Sequence, residues 1–195
     1  NDLQASTLDS ALAEDGFYYP GTNYKFKNIN MPEGTIALNF NEKAILGTST
    51  EVDIILDSVN SIISGAVFVD PNAAAAPVVE VDPFAVAVDT NIEKVHLAIE
   101  DVETGSKLTD LIFSGLNFLK FSGGILGRDF EISDPLDASL VDISASDVSS
   151  NLILDTSLSN LQKSFALGLG DDVLTVGDSL IAIPAIDTMS GGPGL

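Results

Sequence analysis

The chain has 195 residues, enough for one domain with a sizeable core or at most two small ones. It carries 29 acidic residues against 8 basic ones, a formal net charge of −21, although 45% of its residues are hydrophobic. This balance argues strongly against nucleic acid and anionic membrane surfaces as partners, because both are bound through several lysines or arginines. The partners it favours are cations, glycans, neutral surfaces and other copies of the same chain.

The amino-acid usage points to strands and turns. Aspartate outnumbers glutamate 20 to 9, and there are 16 glycines. Aspartate favours turns because its short side chain bonds to its own backbone, whereas glutamate is the better helix former. The composition therefore predicts a mostly β protein with few helices.

The compartment is predicted to be extracellular or the cell surface. The chain begins at Asn1 and shows no apolar signal core, which we interpret as a mature form whose leader has been removed. Cysteine is absent, so no disulfide framework is expected. No run of 18 apolar residues occurs, and membrane insertion is not expected.

The first element in chain order is an N-terminal arm at 1–16. Ser6 and Asp9 form a capping-box pattern that would begin a short helix, with Gly16 available to end it. A mobile arm is the alternative interpretation, since chain ends are often loosely held. From residue 17 the pattern changes to period two, first in Tyr24–Lys27 and then in Thr35–Phe40.

The stretch 51–64 gives the strongest helix signal in the chain. Its apolar residues fall at helical spacing, and Thr50 with Asp53 could cap the first turn. These apolar residues are Val52, Ile55, Leu56, Val59, Ile62 and Ile63. A strand that buries Val52, Ile54 and Leu56 competes with the helix.

Residues 70–83 contain three prolines around a run of four alanines, which predicts an extended connection. Neither side of this connection looks self-sufficient, so we expect one β domain over 17–183. The remaining residues, 184–195, are expected to form a C-terminal tail.

After the connection the chain reads as closely spaced strands. Val95, Leu97 and Ile99 alternate with polar or small residues, which indicates a half-buried strand. Further strands are predicted at 108–113, 116–121, 139–143, 151–156, 164–169, 173–176 and 180–183. Their spacing predicts an antiparallel β-sandwich or jelly-roll-like domain with one or two short helices. A β-solenoid is the alternative, but no fixed period runs through three copies.

One short motif, GLGDDVLTVGD at 168–178, has two interpretations. Gly168, Gly170, Asp172 and Leu174 resemble one repeat of the calcium-binding RTX nonapeptide, although Leu167 replaces its first glycine and 176–180 do not repeat it. The resemblance implies a parallel roll that shares calcium between turns. We favour a β-hairpin that turns at 170–172, because a single turn of such a roll supplies only half a site.

A single loop calcium ion is the cofactor that these residues could hold. Clustered carboxylates suit calcium, and Asp171, Asp172 and Asp178 are the candidate ligands. No cofactor is required by the expected function.

Catalytic groups are not apparent in the sequence. His96 is the only histidine, which excludes a multi-histidine zinc site, and its position opposite the apolar face predicts an exposed or interface residue. No phosphate-binding loop or dinucleotide fingerprint occurs. We therefore expect a protein that is not an enzyme.

The remaining feature is an apolar β chain with an acidic surface. This combination predicts an exported structural subunit that self-assembles into a filament, pilus, tube or matrix by exchange of strands or terminal segments. The apolar residues available for exchange are Leu3, Leu8, Leu12, Leu180, Ile181, Ile183 and Ile186. A monomeric module for calcium-dependent adhesion or carbohydrate binding is the alternative.

Overall fold

A computed structural model describes residues 23–27, 30–41, 51–68, 92–101, 105–113, 115–158, 164–177 and 188–190. Within these ranges all regular secondary structure is β-strand. The strands are β1 (Asn23–Lys27), β2 (Asn30–Asn41), β3 (Glu51–Asp57), β4 (Asn60–Phe68), β5 (Lys94–Ile99), β6 (Lys107–Phe113), β7 (Phe118–Gly123), β8 (Asp129–Ile132), β9 (Asp142–Val148), β10 (Asn151–Thr156), β11 (Ser164–Ala166), β12 (Val173–Val176) and β13 (Thr188–Ser190).

Successive strands alternate between two sheets. The odd-numbered strands form a seven-stranded sheet in the order β1-β3-β5-β7-β9-β11-β13, and the even-numbered strands form a six-stranded sheet in the order β12-β10-β8-β6-β4-β2. Every pairing is parallel. Each odd strand with the even strand after it makes one coil, and the coils stack into a solenoid.

The antiparallel β-sandwich or jelly-roll-like domain is therefore wrong. An antiparallel sheet joins neighbouring strands by hairpins, whereas here chain neighbours lie in different sheets and each hydrogen-bonding partner comes from the adjacent coil. The winding is that of the β-solenoid, which the sequence offered only as the alternative.

The helix predicted at 51–64 is also wrong. This stretch forms β3 and the first five residues of β4, and Ser58 and Val59 form the corner between the two strands. Val52, Ile54 and Leu56 are fully buried, as the competing strand interpretation expected. Among the described residues no helix occurs, so the one or two short helices are not found there.

The core lies between the two sheets and is built from columns of like side chains. One column stacks five buried residues in register, one from each of five neighbouring strands of the larger sheet. Its members are Val52, Val95, Leu119, Ile143 and Phe165. Parallel in-register stacking places each inward residue on its equivalent in the next coil, so the interior excludes water continuously along the axis.

Polar side chains complete the corners that follow the odd strands. The N–H of Ser58 donates to Asp101 in the next coil, 3.1 Å away. The guanidinium of Arg128, the only arginine, donates to the Asp101 carbonyl at 3.0 Å. The N–H of Ile125 donates to the Ser150 hydroxyl at 2.9 Å. Each bond joins adjacent coils at a point where the sheet ladder is interrupted, so backbone groups there keep partners.

Several sequence-based predictions lie outside the described residues. These are the arm at 1–16, the connection at 70–83 and the exchange residues Leu3, Leu8, Leu12, Leu180, Ile181, Ile183 and Ile186. The division into an arm, a domain and a tail stays a prediction. In the described part of the chain, no helix has the length and apolar character needed to cross a membrane.

Candidate functional site

Residues 168–172 of the motif form a solenoid corner, and 173–176 form β12. β11 before the corner belongs to the seven-stranded sheet and β12 after it to the six-stranded sheet, so the predicted β-hairpin is wrong. Both glycines allow close approach to the preceding coil. A Cβ on Gly168 would lie 2.4 Å from the Val148 carbonyl oxygen, and one on Gly170 would lie 2.4 Å from that of Ser150. The glycines that resemble the RTX pattern therefore have a packing role.

Asp172 ties this corner to the coil before it. One carboxylate oxygen accepts from the N–H of Leu152 at 2.8 Å, and the other accepts from the N–H of Gly168 at 3.1 Å. The side chain of Asp171 is exposed, and its backbone N–H donates to Asn151 at 2.8 Å. Asp178, the third predicted calcium ligand, lies outside the described residues.

Replacement of Asp172 by alanine is expected to lower the free energy of unfolding by about 2 kcal/mol, because two backbone donors lose a charged acceptor. Asp171→Ala is the matched control and should change it by less than about 0.5 kcal/mol. Urea denaturation of both variants, with and without calcium, measures the difference. Equal losses, or a calcium-dependent stabilisation that both variants remove, would contradict the corner role.

A second cluster lies on the solvent-facing side of the seven-stranded sheet, which we call the outer face. Asp53 on β3, His96 on β5 and Ser122 on β7 project from three adjacent strands. Asp53 and His96 are direct register partners, and Ser122 pairs with Ala98, two residues beyond His96. Inward neighbours such as Val95 and Leu97 are fully buried, so the core fixes the backbone beneath the cluster.

His96 has a hydrogen-bond partner at each ring nitrogen. Its Nδ1 lies 2.8 Å from Oδ1 of Asp53, and its Nε2 lies 2.8 Å from Oγ of Ser122. The side chains of His96 and Asp53 are 18% and 33% exposed. The imidazole is therefore held in one orientation while the cluster stays open to water.

Glu51 extends the cluster at the start of β3. Among the described residues, Glu51, Asp53 and His96 are the group of possible metal ligands whose donor atoms all lie within 4.8 Å of one another. Lys94 is the register partner of Glu51, and Lys120 is that of His96. The cluster therefore combines two carboxylates and an imidazole with two nearby ammonium groups.

Asp142 adds a further carboxylate to the same face. It lies on β9 as the register partner of Phe118, and burial raises the pKa of its carboxyl above the ordinary value. The side chain of Asp142 is half-buried, which accounts for this direction.

The two tautomers of His96 correspond to two kinds of chemistry. With the proton on Nδ1, donated to Asp53, Nε2 accepts from Ser122, which is the hydrogen-bond pattern of a Ser-His-Asp triad. With the proton on Nε2, donated to Ser122, the Nδ1 lone pair faces the carboxylates and can bind a metal ion.

Nucleophilic catalysis also needs donors aimed at the developing oxyanion. Ser122 lies within β7, which has strands on both sides. The register of β7 with β9 is irregular between Lys120 and Ser122. Among the described residues, the hydrogen bonds at the cluster are those of a triad, and the metal tautomer makes fuller use of Glu51.

Sequence reasoning missed this cluster. His96 was predicted as an exposed or interface residue, but Asp53 and Ser122 lie 43 and 26 residues away, so no local motif joins them. A repeat in the sequence could have revealed the cluster, because equivalent apolar residues recur one coil apart. Leu97 and Phe121, which are register partners, are an example.

Comparisons with protein-family models, curated proteins and solved structures gave no significant match.

Proposed function

We propose that the protein is an extracellular structural subunit that self-assembles end to end by stacking of solenoid coils. The observation that carries the proposal is that, in the described part of the chain, the end strands of both sheets have a hydrogen-bonded neighbour on one side only. Among the described strands, β1 and β13 end the larger sheet and β2 and β12 end the smaller one, each paired on one side only. In this proposal the role of the chain is structural and not enzymatic.

Coil stacking would continue the interactions that already hold the subunit together. A parallel strand edge presents N–H and C=O groups that another strand can pair with. Because the strands within each sheet all run in the same direction, a copy added head to tail meets a coil of the same polarity. Contacts of this heterologous kind generate open filaments when the rotation between successive copies does not close a ring. The last coil of one subunit would thus pair with the first coil of the next, and this pairing would be the form that strand exchange takes.

The charge of the chain would regulate this assembly. A net charge of −21 on each copy opposes association at low ionic strength. Added salt shortens the range of this repulsion, and divalent cations reduce it further. Filament formation is therefore expected to increase with ionic strength, with copies of the chain as the partner and cations as modulators.

The test compares assembly of two matched variants by mass photometry and negative-stain electron microscopy. Val173 lies on the end strand β12 and Ile112 on the interior strand β6, and the two are 55% and 50% exposed. Val173→Asp should prevent filaments, because it adds a charge where the next coil would pack. Ile112→Asp adds the same charge on an interior strand and should leave filaments intact.

Two results would overturn the proposal. Loss of filaments in Ile112→Asp alone would indicate lateral contacts between sheet faces. A protein that stays monomeric at high micromolar concentration, with and without salt and calcium, would exclude self-assembly. A monomer whose melting temperature rises with calcium or glycans would instead favour a binding module.

A further inference from the structure

We propose that Glu51, Asp53 and His96 form a binding site for a divalent ion of zinc, cobalt, nickel or copper. In this site Ser122 is the residue that orients the histidine. The site is independent of the assembly proposed above. It uses side chains on the outer face, and β3 and β5, which carry the ligands, are interior strands of their sheet.

The donor atoms are suitably placed for one ion. Zinc binds imidazole nitrogen and carboxylate oxygen at about 2.0–2.2 Å, so two of its ligand atoms lie at most about 4.4 Å apart. Nδ1 of His96 and Oδ1 of Asp53 are 2.8 Å apart, and all three donor atoms of the cluster lie within 4.8 Å. A small movement of the exposed Glu51 side chain would bring all three donor atoms within bonding distance of one ion.

The sheet holds two of the three ligands in place before an ion arrives. Asp53 and His96 are register partners on interior strands, flanked by the buried pairs Val52 with Val95 and Ile54 with Leu97. Such support reduces the entropy lost on binding, because the ligand backbones are already ordered. Glu51 begins β3 and supplies the adaptable third ligand, which leaves the solvent side open for water as a fourth ligand.

The contact between Ser122 and His96 suits the tautomer that metal binding needs. A histidine that binds metal through one nitrogen usually donates the proton on its other nitrogen to a nearby acceptor, which fixes the tautomer. Oγ of Ser122 lies 2.8 Å from Nε2 of His96 and can accept that proton. Nδ1 is then left with its lone pair directed at Asp53.

The ligand set favours a transition metal over calcium. Calcium takes six to eight oxygen ligands, whereas one neutral imidazole with two carboxylates suits zinc, cobalt, nickel or copper. The ammonium groups of Lys94 and Lys120 lie on neighbouring register positions and oppose a cation, so the affinity is expected to be moderate.

The experiment exploits the single histidine of the chain. Protein freed of any histidine tag and labelled with ¹⁵N-histidine gives one imidazole, which can only be His96. Zinc is titrated in excess magnesium, which occupies non-specific carboxylate sites. We expect the Nδ1 resonance to shift on zinc binding while Nε2 stays protonated. Cobalt, added separately, should give visible bands that depend on the imidazole.

Matched variants distinguish zinc binding at a defined site from non-specific attraction of zinc to the acidic surface. Glu51→Gln should weaken zinc binding about 10-fold, and Ser122→Ala should weaken it by a similar factor because the tautomer is released. Glu131→Gln is the control. It makes the same charge change on β8 in the other sheet, where Glu131 pairs with Lys107 at 2.8 Å, and should leave zinc affinity unchanged. Circular dichroism confirms that each variant is folded.

Three outcomes would overturn the metal site. The first is a folded protein whose His96 resonances do not respond to zinc. The second is an equal loss of affinity in Glu51→Gln and Glu131→Gln, which would indicate diffuse charge. The third is a proton on Nδ1 with covalent labelling of Ser122 by a fluorophosphonate probe, which would assign the cluster to nucleophilic chemistry.

Discussion

Replacement of Asp101 by alanine is expected to lower the free energy of unfolding by about 3–5 kcal/mol, because three donors at a corner would lose the carboxylate acceptor that they share. Asp101 is fully buried at the corner after β5. One carboxylate oxygen accepts from the N–H of Ser58 at 3.1 Å and from the hydroxyl of Ser106, and the other accepts from the N–H of Ser106 at 2.9 Å.

The size of the effect follows from what the truncation leaves behind. The N–H groups of Ser58 and Ser106 would lose an ionised acceptor inside the protein, and each buried unsatisfied donor costs about 1–3 kcal/mol. The Ser106 hydroxyl would also lose the partner that aligns it to accept from the N–H of Val59 at 3.1 Å. Two coils would therefore be loosened together.

Urea denaturation followed by circular dichroism measures this loss. Asp134→Ala is the matched control, since it removes the same charge from an exposed position and should change stability by less than about 0.5 kcal/mol. A loss below about 1 kcal/mol in Asp101→Ala would mean that water or backbone movement satisfies the corner donors, and the network would not have the role assigned to it.

Gly65→Val should be the second most damaging substitution, with a loss of about 3 kcal/mol, the upper end for overpacking a core. Gly65 is the register partner of Phe113, whose buried ring occupies the space beside it. A Cβ on Gly65 would lie 2.2 Å from Cε1 of that ring. The ring would have to leave its position, and the column around it would be disturbed.

A double-mutant cycle tests this explanation. Phe113→Leu alone should destabilise the protein through lost burial, but in the Gly65→Val background it should recover part of the loss by removing the clash. Ser64→Val, one residue away on β4 with a half-exposed side chain, is the control and should be nearly neutral. Strictly additive effects of the two core substitutions would contradict a direct clash.

The positions of several strands could be predicted from the sequence, but the direction of their pairing could not. Val95, Leu97 and Ile99 are buried on β5, as their alternation indicated. Parallel sheets are usually covered on both faces and read as continuous apolar runs. Here each sheet has one face toward the core and one toward solvent, so a parallel strand shows the alternation typical of antiparallel strands.

The mistaken helix at 51–64 has a related cause. Leu56, Val59 and Ile63 are all buried, at spacings of three and four residues. These spacings arise because the corner at Ser58 and Val59 interrupts the period of two between β3 and β4. A corner between two short strands can thus imitate the period of a helix.

The solenoid period was hidden by one long coil. Lys94, Phe118 and Asp142 are successive register partners at intervals of 24 residues, whereas Glu51 and Lys94 are partners 43 residues apart. Because the long coil separates Asp53 from His96, the candidate metal site depends on a register that spacing rules do not reveal. The sequence placed Asp172 in a turn, but Leu152, whose N–H donates to it, lies on the preceding coil.

The corner hydrogen bonds have a mechanical consequence. The hydrogen bonds described for Asp101, Arg128, Ser150 and Asp172 each join adjacent coils. A load applied along the axis is therefore passed from coil to coil through short polar links and the strand ladders. The molecule should resist stretching along its axis and yield by peeling away its outermost coils in succession, so that damage at one end leaves the remaining coils able to bear tension.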